Sequence, residues 1–163
     1  MPEYKQIDIQ PESIAKYFLY RGLSDGDYIS PLKMQKLVYY AYVWSLVEHR
    51  VRLFNERIQA WPNGPVVSSL YQSLKTYGSQ PIGEDFLGGD SKQLEGLFNS
   101  FPPEVKETLD EVYEKYGILS AFELVMLTHS EGPWTKARQG LAPTESSNKE
   151  IEDGDILEQY KLE

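Results

Sequence analysis

From Ser30 to Glu48 the chain reads SPLKMQKLVYYAYVWSLVE. Wound at about 100° per residue, this stretch places Met34, Leu37, Val38, Ala41 and Trp44 on one side, and Leu32, Tyr39, Val43, Leu46 and Val47 on the other. A helix apolar nearly all round is a buried helix, so residues 30–49 are predicted to form a central helix on which the other elements pack. Ser30 is placed to cap its first turn, and Pro31 has no amide to leave unsatisfied there.

The flanking patterns are shorter. An extended lead-in over residues 1–10 is predicted to precede a helix from Pro11 to Arg21, apolar at Ile14, Tyr17 and Phe18 and stopped by Gly22. After the central helix, Val51, Leu53, Ile58 and Ala60 around Asn55 and Glu56 suggest a small β-hairpin over about 51–60. WPNGPVV then supplies a rigid corner, with a helix starting near Pro65 and striped by Val67, Leu70, Tyr71 and Leu74 as far as Gly78. Residues 79–102, rich in glycine and scattered acids, read as a long loop with a short helix near Gln93–Phe98. A helix from Pro103 to Tyr116 carries Val105, Leu109, Val112, Tyr113 and Tyr116 on one face. Ser120 and Glu123 form a capping-box pattern opening SAFELVMLTH, a helix expected to lie against the central one. A short helical piece in SEGPWTKARQG and a last helix over about Asp153–Lys161 complete the prediction. The expected fold class is mainly α: a single compact helical domain with one small hairpin.

Charge and composition narrow the function. A net charge of −9 and a pI near 4.8 disfavour unaided nucleic-acid binding, which needs clustered lysine and arginine, and favour basic partners. Much of the surplus lies in residues 142–163, which hold seven acids against Lys149 and Lys161; a solvated face is the expectation there, a docking tail the alternative. The chain has no cysteine, which removes disulfides, thiolate zinc sites and thiol nucleophiles and suits a reducing compartment. No apolar run reaches membrane-spanning length. The start MPEYKQIDIQPES lacks the basic and apolar regions of a signal peptide, so a cytoplasmic location is expected.

Candidate chemistry is sparse. His129 with Glu131 is the first acid–base candidate, against the reading that a histidine in the last turn of a helix binds free carbonyls. His49 ends the central helix and is expected to be exposed. Lys33 and Lys36 lie three apart amid apolar residues. For Lys33 a stem along the surface with its charge in water is expected; for Lys36 that reading and a polar anchor, or an opening for a partner's carboxylate, both stay open, and a buried lysine there would need an acid or carbonyls to meet it. Trp61, Asn63, Gly64 and Pro65 form the corner, and Trp134 and Arg138 follow the second buried helix. These residue types fill cores and also anchor interfaces. Trp44 is expected in the core. Phe86, Leu87, Leu94 and Phe98 in the long loop offer a second partner surface. No HExxH, P-loop, GxSxG or dinucleotide turn occurs, so no cofactor, metal or catalytic residue is predicted.

Three stretches, PLKMQKLVYYAYVW, LFNERIQAWPNGPVVSSLYQSLKTYG and LTHSEGPWTKAR, together resemble the Panacea domain, a SocA-like, phage-associated family. The matching positions are Leu32, Lys36, Leu37, Tyr39, Tyr40, Leu53, Phe54, Ala60, Trp61, Gly64, Pro65, Val66, Tyr71, Thr128, His129, Trp134 and Arg138, spread over roughly residues 10–160. The resemblance implies a mostly helical antitoxin that neutralises a protein toxin encoded nearby, often beside prophage genes, with no catalysis of its own. Delivery of the toxin to a protease is the alternative, and a small hydrolase or transferase using His129, Glu131 or Lys36 is the rival from another class. Members with DNA-binding segments carry them at the N-terminus, and here only about ten residues precede the first helix. Lys36, Trp61, Asn63, Gly64, Pro65, Tyr71, His129, Trp134 and Arg138 are the expected partner-binding or groove residues. Trp61, Tyr71, His129 and Trp134 are expected to meet in space.

Overall fold

The computed structural model describes residues 4–161; the outermost residues of the lead-in and of the acidic segment lie outside that range. The central helix α2 spans Pro31–His49, and the Ser30 hydroxyl accepts from the Lys33 amide at 3.3 Å. Its side chains from Met34 to Val43 are all buried, as an all-round apolar pattern requires. Arg50, in the left-handed conformation at φ +56°, ends it. Trp44 sits at the rim of the core, half-buried, its indole donating to the Tyr116 hydroxyl at 2.8 Å.

Helices α1 (Pro11–Ser24), α5 (Pro103–Tyr116), α6 (Ala121–His129) and α8 (Asp153–Gln159) pack directly on α2. The long α5 coincides with its predicted limits, and α6 begins with the Ser120–Glu123 capping box. Helix α1 runs a turn beyond the predicted stop. Gly22 lies inside it, where an added Cβ would stand 3.0 Å from Ile29 Cδ1, so this glycine serves close packing and the turn falls at Gly26, φ +77°.

The hairpin is displaced from 51–60. Strand β1 (Lys5–Gln6) pairs in parallel with β2 (Val51–Arg52), while β3 (Ile58–Trp61) pairs antiparallel with β4 (Gly64–Val67), from Ile58↔Val67 to Trp61↔Gly64. Pro62 and Asn63 are therefore the hairpin turn, and Pro65 lies in a strand instead of starting a helix. Its missing amide costs nothing there, because the opposed Ala60 sends its own N–H the other way, to the Lys149 carbonyl at 2.8 Å. Helix α3 follows at Ser68–Leu74, and Tyr71 on it is exposed.

Residues 79–102 are more structured than predicted: a 3₁₀ turn at Glu84–Leu87 and a helix, α4, at Ser91–Asn99 opened by an Asp90–Gln93 capping box. Phe86, Leu87, Leu94 and Phe98 are buried, with Phe98 edge-on to Tyr17 at 5.1 Å, so they build core and do not offer a partner surface. The acidic C-terminal segment is stitched on. Ile151 donates to the Ile58 carbonyl at 2.8 Å, Ile151 and Ile156 are buried, and Asp153 accepts from Tyr42 and Arg52 at 2.8 and 2.7 Å. Between these elements, α7 (Gly132–Ala137) carries Trp134. Among the described residues no helix is long and apolar enough to cross a membrane.

Candidate functional site

Two neighbouring residues of α2 hold the hairpin in place. The Gln35 amide is bidentate to Val67, donating to its carbonyl at 3.1 Å and accepting from its N–H at 2.9 Å, where the strand becomes α3. Lys36 is completely enclosed and donates to the Pro65 carbonyl at 3.2 Å. No carboxylate meets it among the described residues, and burial alone pushes its ammonium down to about 7. Gly64 makes this approach possible. At φ +112° it adopts a conformation that side chains disfavour, and a Cβ there would lie 2.5 Å from Lys36 Cε and 2.9 Å from Thr128 Oγ1.

The hairpin turn then meets α3 on one side and α6–α7 on the other. The Trp61 ring lies edge-on to Tyr71, centroids 4.9 Å apart, and its indole donates to Gln59 at 2.8 Å. Trp134 donates to the Trp61 carbonyl at 2.8 Å and stacks on His129 at 3.8 Å and 13°. Arg138 is buried. Its guanidinium donates to the carbonyls of Ala60, Ala142 and Glu145 at 2.8, 3.0 and 2.7 Å, tying the segment after α7 to the hairpin. Trp61, Tyr71, His129 and Trp134 are thus one cluster.

Beside it lies a cavity of about 350 Å³ with walls from Leu32, Val66, Leu74, Trp61 and Tyr71, and a rim that includes Asn63 and Lys75. Apolar walls with a few polar groups at the edge suit an inserted apolar or aromatic side chain. The nine predicted residues divide by exposure. Asn63 and Tyr71 are exposed, and Trp61, His129 and Trp134 half-buried; Lys36, Gly64, Pro65 and Arg138 are buried and shape the cluster from beneath. Lys33 departs from its expectation, half-buried with its ammonium donating to the Gly117 carbonyl at 2.6 Å.

His129 and Glu131 do not form an acid–base pair. The imidazole stacks on Trp134, its Nε2 is buried with no hydrogen-bond partner among the described residues, and burial lowers its pKa. Glu131, just past the end of α6, turns inward, accepting from the Tyr40 hydroxyl at 2.8 Å; burial raises its carboxyl pKa. Tyr40 stacks on Tyr116 at 4.0 Å, so Glu131 belongs to a buried tyrosine cluster. No trio of histidine and carboxylate side chains is grouped for a metal among the described residues. Gln35 escaped the sequence reading, because a polar residue in an apolar helix carries no mark of its partner.

The family described as "Antitoxin SocA-like, Panacea domain" matches residues 34–135, which include the hairpin, α3, α6 and Trp134. Among curated proteins, the chain is similar to Antitoxin SocA of Caulobacter vibrioides (strain NA1000 / CB15N). The two are 29% identical over 137 residues, which cover 81% of this chain and 72% of that protein. No solved structure matches the chain.

Proposed function

Because this chain belongs to the antitoxin SocA-like, Panacea-domain family, we propose that it is an antitoxin that neutralises a protein toxin by binding it directly. The observation that carries the reading is the apolar cavity beside Trp61 and Tyr71: an open, aromatic-walled recess of about 350 Å³ held by a buried frame of Lys36, Gly64 and Arg138. Such recesses accept anchoring side chains from a partner. The mechanism is steric. A folded surface covers the toxin's working surface, and no bond is made or broken by this chain. The proposed compartment is the cytoplasm, and the proposed toxin is the product of a neighbouring reading frame.

The test is co-expression with that product, scoring growth and co-purification together. Rescue with a stable complex is expected, and Trp61→Ala and Tyr71→Ala should weaken the complex at least ~10-fold while the fold is kept. Rescue with accelerated loss of the toxin and no stable complex would replace masking by delivery to a protease. Rescue abolished by His129→Ala in a folded protein that still binds would reopen catalysis.

A further inference from the structure

The exposed large apolar side chains of the described residues are Tyr28, Leu32, Tyr71, Ile118, Phe122 and Met126. They are not scattered. Ile118, Phe122 and Met126, exposed by 82, 71 and 52%, follow one another at four-residue steps, and α6 carries Phe122 and Met126 on the face opposite its buried Leu124 and Thr128. Phe122 and Met126 lie one turn apart on α6, about 6 Å along its axis, and Ile118 sits in the turn between α5 and α6. Tyr28 and Leu32 flank Ser30 at the start of α2, and Lys33, in the first turn, donates to the carbonyl of Gly117, the residue before Ile118. A group of exposed large apolar residues on one helix and the turn that leads into it marks an interaction surface more often than a lone exposed residue does.

Ile118 also lines a second, open groove of about 640 Å³. Four carboxylates, Asp25, Asp27, Glu114 and Glu123, face two cations there. Both cations are engaged: Arg21 pairs with Asp110 at 2.7 Å and Glu114 at 3.3 Å, and Lys33 holds the Gly117 carbonyl. The groove is therefore acidic, in a chain of net charge −9.

From this juxtaposition, and resting on the antitoxin reading, we infer that the outer face of α6 and the acidic groove together dock a basic amphipathic segment of the toxin. Its apolar side would cover Ile118, Phe122 and Met126 while its lysines and arginines reach Asp25 and Asp27. The charge selects this occupant. A second copy of the chain would bring acidic groove against acidic groove, and nucleic acid or an anionic membrane would be repelled.

The experiment uses the full chain and the product of the adjacent reading frame, with affinity and association rate measured between 50 and 500 mM salt, roughly the range over which screening takes effect. Phe122→Asp and Met126→Asp, both at exposed positions, should each weaken the complex at least ~30-fold with an unchanged melting temperature. Asp25→Lys should slow association ~3- to 10-fold at low salt and flatten its salt dependence. A photo-crosslinker at position 122 should label a toxin segment rich in lysine and arginine. Tight binding by the native chain, left within about twofold by both α6 variants, would remove this surface while keeping the antitoxin reading. No binding by the native chain would overturn both. Self-association of the native chain that Phe122→Asp abolishes would assign the face to a second copy and overturn the inference.

Discussion

Replacing Lys36 by methionine should stabilise this protein, and do so in a pH-dependent way. The side chain is fully enclosed, its one hydrogen bond runs to the Pro65 carbonyl, and burial lowers its pKa from 10.5 to about 7. Between those values the unfolded chain holds a proton that the folded chain lacks. Stability therefore rises as pH climbs from about 7 to 10.5, by up to ~1.4 kcal/mol per unit, and is flat below that window, where both states are charged. At pH 7 the burial penalty is about 4 kcal/mol on this reasoning. Methionine removes the penalty but leaves the Pro65 carbonyl without its donor, which costs about 2 kcal/mol. The net expectation is a gain of about 2 kcal/mol at pH 7, shrinking to nothing near ~pH 9, where the folded lysine is neutral and the remaining penalty has fallen to about the cost of the orphaned carbonyl. Urea denaturation of both proteins at several values between pH 6 and 10 reads this directly, with a midpoint difference of about 1 M at neutral pH. A Lys36→Met protein less stable than the native chain at pH 7, or a difference independent of pH, would mean that burial of the charged lysine does not limit stability here.

Three further outcomes follow from the same frame. Gly64→Ala should cost ~3 kcal/mol or more, since its Cβ meets Lys36 Cε at 2.5 Å in a backbone conformation suited to glycine, and a thermal melt would show it. Gln35→Leu orphans a buried N–H and a buried carbonyl of Val67 and should cost about 2–3 kcal/mol in urea denaturation. Arg138→Lys cannot reach Ala60, Ala142 and Glu145 together; hydrogen exchange over residues 140–148 should accelerate ~10-fold or more, while exchange in α2 changes little.

The elements legible in the sequence are those written in local chemistry. Ser30–Pro31 opens α2, Ser120 and Glu123 open α6, and the apolar face of α5 runs between a proline and a glycine. What escaped depended on partners far along the chain. Val51 and Ile58 look like two strands of one hairpin, but Val51 pairs with Lys5 and Ile58 with Val67, because Pro62–Asn63 makes the tighter turn. Gly22 reads as a stop until Ile29 is seen pressing on it. The candidate site shows the same division. The meeting of Trp61, Tyr71, His129 and Trp134 was legible through the family resemblance and not through spacing. His129 and Glu131 are neighbours in sequence yet face different surroundings, since the helix ends between them. The apolar composition of α6 pointed to packing on the central helix, and composition alone does not say which side is left open.

The C-terminal strip at residues 149–151 that borders β3 also has a consequence in time. Lys149 accepts from Ala60, and Ile151 donates to Ile58, so the hairpin edge is closed by chain synthesised about 90 residues later. At ~5–20 residues per second, that edge leaves the ribosome unpaired and waits roughly 5–20 seconds for its cover. During that interval the nascent chain presents an open β-edge to whatever lies near its own polysome. A truncation before Lys149 would make that transient exposure permanent and turn the hairpin edge into a site of aggregation.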